Sequence, residues 1–221
     1  MNDLKPDPST VPRGRAAGTA LVASAVIYFV AEFIAAAAWT DPPYSYTYHF
    51  ISNLGVRGPS TAFGQYMYSP LAWVMNTGFI LFGLAALIGV LMLRGLPAGR
   101  RAALGAMAVL LAAGTTLVAL FPGSSEASAL HGLGALAAFG GGNVLAILLG
   151  RSHRLLGVSP KLGRALVWLG ILGFVSLVVY LTLATGTGVL IGFFERGVLY
   201  PFLIGFIALG AALKAPVPAV R

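Results

Sequence analysis

The stretch AAGTALVASAVIYFVAEFIAAAAW, residues 16–39, carries no charge except at Glu32. As a helix rising 1.5 Å per residue it is long enough to cross a hydrocarbon core roughly 30 Å thick. The rest of the chain repeats the pattern. Apolar runs recur at 69–93, 102–121, 129–150, 165–186 and 190–213, uncharged except for Glu195 and Arg196 in the last, which predicts six membrane spans. The segments RGLPAGRR (94–101), FPGSSEAS (121–128), RSHRLLGVSPKLGR (151–164) and TGTG (185–188) separate them with turn-forming or basic residues.

Composition agrees. The chain is 58% hydrophobic and only 9% charged, with a mean hydropathy of +0.88, whereas soluble domains hold roughly 45–50% apolar and about 25% charged residues. The expected fold class is therefore all-α, an integral membrane bundle of six antiparallel helices spanning 16–213. Residues 1–15 and 214–221 form its tails, and 41–69 is the longest element between spans. There is no cysteine, which excludes disulfides, thiolate nucleophiles and cysteine-held metals. The opening MNDLKPDPSTVPRGR has acids and prolines where a signal peptide would have a short basic region, so span one is expected to be a retained anchor.

The net charge of +8 reads as topology, not nucleic-acid binding. Of the 14 basic residues, all but Arg57 and Arg196 fall at the ends expected to share one side: Lys5, Arg13, Arg15, Arg94, Arg100, Arg101, Arg151, Arg154, Lys161, Arg164, Lys214 and Arg221. The positive-inside rule then sets both termini in the cytoplasm, with Asp41 and Glu126 on the opposite side. The expected location is the cytoplasmic membrane of a prokaryote, with membrane lipids as partners, no nucleic acid, and a homo-oligomer allowed. Gly and Ala crowd HGLGALAAFGGG (131–142); such residues let membrane helices approach closely, so span four is expected to be central. No internal repeat of the inverted-transporter kind is visible.

Polar chemistry concentrates in DPPYSYTYHFISNLGVRGP, residues 41–59. Ser45 suits a helix N-cap and Gly55 a C-cap, so residues 46–54 are expected to form a short amphipathic helix with His49 and Asn53 one turn apart and Ser52 beside them. Tyr44, Tyr46, Tyr66 and Trp39 fit an interfacial aromatic belt. Glu32, about 25 Å up a helix beginning near Arg15, would cost about 2.5–3.5 kcal/mol if left unpaired in lipid. It must therefore face a wet cavity or a partner, either Arg196 or a tyrosine. His131, Glu195, Arg196 and Tyr200 are expected at the same outer level, Asn76 near it, and Asn143 deeper.

The candidate ligand-binding set is Glu32, Tyr48, His49, Ser52, Asn53, His131, Glu195, Arg196 and Tyr200. Glu32, His49 and His131 are candidate acids or bases. Arg196 would suit a phosphate or carboxylate. No HxxxH or HExxH spacing supports a metal site, and no cofactor is indicated. Three functions stand side by side: binding a lipid or other amphiphile, hydrolysis or group transfer on a lipid-linked substrate, and proton-coupled transport.

YHFISNLG (48–55) following PPYSYT, His131 in ALHGLGAL, and Glu195 and Arg196 in FFERGVLYP occur in an order that resembles the domain of unknown function 998 family of prokaryotic membrane proteins. The resemblance covers essentially the whole chain. It implies a six-span fold and a map of site residues, and no activity. Asn53 stands where such proteins commonly have Asp.

Overall fold

The computed structural model describes residues 14–62, 64–123, 128–183, 188 and 190–215. Lys5, Arg13, Glu126, Arg221 and the turn residues 185–187 lie outside them. Six helices emerge: α1 (Arg15–Ala38), α2 (Ala72–Leu91), α3 (Ala98–Leu120), α4 (Ser128–Arg151), α5 (Pro160–Leu183) and α6 (Ile191–Lys214). All six are long and apolar enough to cross a membrane. Their outward faces carry large apolar side chains such as Phe33, Trp73, Leu120, Trp168 and Val178. This is a multi-pass membrane protein.

Each helix packs on the next in sequence, and α6 returns to α1, closing a ring. Small residues set the spacing. An added Cβ at Gly114 would lie 2.6 Å from the Gly134 carbonyl oxygen, and one at Gly141 would lie 2.8 Å from the Leu111 amide nitrogen. Hence α3 and α4 touch backbone to backbone, and the glycines of α4 serve packing. The ring's middle is filled by Tyr28, Phe82, Phe202 and Phe206. The most buried helix is α6, which meets α1, α4 and α5, while α5 is the least buried. The central place expected for span four is thus shared, with α6 the more enclosed. Asn143, fully buried, donates from Nδ2 to the carbonyls of Phe139 (2.9 Å) and Val198 (3.1 Å), joining α4 to α6.

The segment between α1 and α2 differs from expectation. Residues 46–54 are not one helix. A turn closed by the His49 amide donating to the Ser45 carbonyl (2.8 Å) is followed by a short 3-10 helix, Ile51–Gly55. A hairpin then pairs β1 (Ser60–Ala62) with β2 (Gln65–Met67), antiparallel. Ser45 does cap its turn, its Oγ accepting from the Tyr48 amide at 3.3 Å. The turn ends early because Phe50 is extended (φ −60°, ψ 149°); its amide donates to the Gln65 side chain and its carbonyl accepts from the Tyr44 hydroxyl. Gly55 is not a left-handed cap. It is glycine because Asn76 of α2 lies against its Cα and donates to its carbonyl at 3.0 Å.

The aromatic residues of this segment also divide. Tyr46 and Tyr66 are exposed as a belt requires, whereas Trp39 is buried and Tyr44 half-buried. Their rings pack on His49, with Tyr44 stacked at 5.3 Å between centroids and Trp39 at 5.0 Å. They are the core of a cap, not an interfacial girdle.

Candidate functional site

Helix α6 begins beneath this cap, and four residues of its first turns hold it. The Phe193 amide, left without an intrahelical acceptor at the helix start, donates to the Thr47 carbonyl at 3.2 Å. Gly192 leaves room for the Tyr46 and His49 carbonyls; a Cβ there would lie 2.8 Å from the Tyr46 oxygen. Arg196 Nη1 donates to those same carbonyls at 2.7 and 3.4 Å, and to Gly192 at 2.9 Å. Glu195 Oε2 accepts from the Ile51 amide at 2.5 Å.

Glu195 and Arg196 leave the helix about 100° apart, and they enter different surroundings. Arg196, 6% exposed, faces α1. Its Nε donates to Glu32 Oε1 at 2.9 Å, and its Nη2 lies 2.8 Å from the same oxygen. The Tyr200 hydroxyl donates to Glu32 Oε2 at 2.9 Å. Arg196 Nη2 also donates to the Tyr44 hydroxyl at 2.5 Å, which donates onward to the Phe50 carbonyl at 3.1 Å. The guanidinium lies 4.7 Å from the Tyr46 ring centroid, near enough for a cation–π contact. Glu32 is wholly buried, so this is an ion pair satisfied within the protein, of the kind that is costly to break. Burial pushes the Tyr44 hydroxyl above its usual titration range, so it stays a phenol able to accept and donate at once.

Glu195, 4% exposed, faces the other way, into a cavity of about 410 Å³. The walls come from α3, α4, α5, α6, the cap and Phe79 of α2, and most are apolar: Phe79, Leu136, Phe139, Leu181 and Leu199. The polar lining includes Glu195, His131, Ser52, Asn53, Tyr48 and Gln65. The Ile51 amide is the hydrogen-bond partner of Glu195 among the described residues. His131 Nδ1 sits 2.8 Å from the Phe121 carbonyl. The Val118 carbonyl is a second backbone partner of the ring, and since carbonyls only accept, the His131 N–H is turned to the protein.

The nine candidate residues therefore fall into three places. Tyr48, Ser52, Asn53, His131 and Glu195 line the cavity. Glu32, Arg196 and Tyr200 form the ion-pair knot between α1 and α6 instead. His49 lies in the cap core, where its Nδ1 accepts from the Ser45 amide at 2.9 Å. Burial, with the neighbouring Arg196 charge, lowers its pKa. Arg196 is committed to Glu32, Tyr44 and the cap, and no other Lys or Arg lines the cavity among the described residues. Asn76 braces Gly55, outside the cavity lining.

Gln65 is the residue the sequence did not single out. Its Nε2 donates to the Tyr48 carbonyl at 2.5 Å, and its Oε1 accepts from the Phe50 amide (3.4 Å) and Asn53 Nδ2 (2.5 Å). Two backbone groups fix its amide orientation, which in turn fixes that of Asn53. The only advance sign was a polar residue after Gly64, the hairpin turn residue with φ +72°.

A family model described as "Protein of unknown function (DUF998)" matches residues 21–212. No curated protein and no solved structure matches the chain.

Proposed function

The chain belongs to the DUF998 family of proteins of unknown function, and from its site we propose that it binds a lipid or other amphiphile in the cavity roofed by the cap. One observation carries the reading. A cavity of about 410 Å³ joins leucine and phenylalanine walls to a polar end holding Glu195 and His131, within the usual size range of small-molecule sites, about 300–1,000 Å³. Leu136 of α4 and Leu181 of α5 line the cavity and are about half exposed, which favours sideways access from the acyl chains between these two helices.

In this reading the helices alternate in direction, both termini are cytoplasmic, and the cavity opens to the outer leaflet of a prokaryotic cytoplasmic membrane. Support comes from the basic residues Arg94, Arg101, Arg151 and Arg164 at the ends far from the cap.

Native mass spectrometry of protein purified in mild detergent tests the proposal. Nothing lies within 4 Å of a Cβ added at Gly132, a cavity-lining position, so Gly132→Phe should fill the site without disturbing the helix. The wild type should carry a lipid and Gly132→Phe should not; equal retention refutes the proposal. A second reading, hydrolysis or transfer on a lipid-linked substrate, draws support from His131 sharing a cavity with Ser52 and Glu195. Turnover abolished by His131→Ala, with lipid still bound, would favour it. Transport has less support, because Phe82, Phe202 and Phe206 fill the level below.

A further inference from the structure

Resting on the amphiphile reading, we propose that the head group taken by this cavity is cationic, a protonated amine whose ammonium pairs with Glu195. The charge balance of the buried residues leads there. Glu32 is answered by Arg196, and the Arg196 donors are all directed to Glu32, Tyr44, Gly192 and the cap carbonyls. No Lys or Arg stands among the described residues lining the cavity. Glu195 is thus a buried carboxylate with one backbone donor and no cation of its own facing the space.

The neighbours reinforce its preference. The His131 ring lies against the Phe121 and Val118 carbonyls, which take its N–H, so it offers no proton to an anion. The Thr115 hydroxyl is turned back to the Ala112 carbonyl at 3.1 Å. Asn53 gives its amide to Gln65, leaving its oxygen without a donor among the described residues. The polar end is therefore rich in acceptors. A phosphate or carboxylate head would meet the Glu195 carboxylate with only neutral hydroxyls, such as those of Ser52 and Tyr180, and no cation among the described residues to offset it, an unfavourable pairing in a buried site. A bare metal ion would find too few ligands, since no group of three or more His, Cys, Asp or Glu occurs among the described residues. An ammonium offers three donors to a lining that holds the Glu195 carboxylate and the Asn53 oxygen, and a hydrocarbon tail suits Leu136, Phe139 and Leu181.

Sideways access fits the packing of the two helices that flank it. Close α4–α5 contacts join Gly150 to Gly163 and Asn143 to Gly170 and Gly173. Toward the cap, His131, Leu136, Tyr180 and Leu181 of the same two helices border the cavity.

The experiment compares dodecylamine, dodecanol and laurate, one chain with three heads, binding to the full-length protein in a nonionic detergent. Microscale thermophoresis would be run on the wild type, Glu195→Gln and Gly132→Phe. Expected is amine over alcohol over carboxylate in the wild type. In Glu195→Gln, whose Oε1 still accepts from Ile51, amine binding should weaken about tenfold, or ~1.4 kcal/mol, to the level of the alcohol. Dodecanol binding should be unchanged, and Gly132→Phe should bind none of the three. Equal affinity for all three heads, or laurate preferred, overturns the cationic head and leaves the amphiphile reading standing. No binding by any probe, or binding unaffected by Gly132→Phe, overturns both. The wild-type series alone decides the head group if Glu195→Gln does not fold.

Discussion

Arg196 holds two things at once, the carboxylate of α1 and the backbone of the cap, and the two can be separated by substitution. Arg196→Met removes both. Its bonds to the Tyr46 carbonyl (2.7 Å) and the Tyr44 hydroxyl (2.5 Å) are charge-assisted, and such bonds contribute about 1.5–3 kcal/mol each. Their loss should destabilise the closed cap by at least ~3 kcal/mol, a rise of about a hundredfold in its open population. Glu32→Gln removes only the charge partner. It should lower the global melting temperature strongly, since breaking a buried ion pair costs about 3–5 kcal/mol, while the grip of Arg196 on Tyr46 and Tyr44 persists. Arg57, exposed in the cap, is the reporter. When opening is fast relative to cutting, tryptic cleavage after Arg57 follows the open population. Arg196→Met should be cut about a hundredfold faster than wild type, and Glu32→Gln far less so despite a comparable fall in melting temperature. In Glu32→Leu/Arg196→Met the loss of melting temperature should be smaller than the sum of the single losses. Cleavage at the wild-type rate in Arg196→Met, or equal acceleration in both single variants, refutes the two-handed role.

Three further outcomes follow from the cap. Asn53→Asp should destabilise by about 1–3 kcal/mol, because a carboxylate would face Gln65 Oε1, and Gln65 cannot turn while the Tyr48 carbonyl and Phe50 amide hold it; thermal melts at neutral pH measure this, and Asn53→Ser should cost less. Gly192→Ala should push the cap off α6, costing about 1–3 kcal/mol and raising cleavage after Arg57, since its Cβ would intrude on the Tyr46 carbonyl. Protonation of His49 would break the bond its Nδ1 accepts from Ser45. Its lowered folded pKa means that stability is full above the ordinary value of about 6.5 and falls as pH drops below it; this acid-side slope in melting temperature should flatten in His49→Phe.

The six spans were legible because desolvation in a bilayer leaves long runs with few charges, and each expected span overlaps one helix. The ends were less legible. Helix α5 starts at Pro160, five residues before the apolar run, because Ser159 Oγ accepts the Leu162 amide at 3.2 Å and a helix continues past the hydrocarbon into basic residues such as Lys161 and Arg164. In the same way α3 begins at Ala98 and includes Arg100 and Arg101. The outer polar residues were visible as a set, and pairing Glu32 with Arg196 or a tyrosine was among the readings the residues allowed. What could not be read was the division of that set. Glu195 and Arg196 are neighbours in sequence, and only the positions of α1 and the cap decide that one faces a cavity and the other a partner. Gln65 was invisible for a related reason: its importance comes from three backbone and side-chain groups between Tyr48 and Asn53 that converge only when the hairpin folds back.

The ring closes through its two ends, and that has a bearing on how the protein is made. Glu32 and Arg196 lie 164 residues apart, so the carboxylate of the first helix enters the bilayer long before its counterpart leaves the ribosome. The cap is synthesised early too, yet its anchors at Gly192, Phe193, Glu195 and Arg196 arrive with the last helix. Until then the nascent chain exposes a lone acid to lipid and an unclosed seam beside α1, the features by which membrane quality control recognises unfinished proteins. Chains that stop short of α6 should accordingly be cleared by proteolysis instead of accumulating as five-helix fragments.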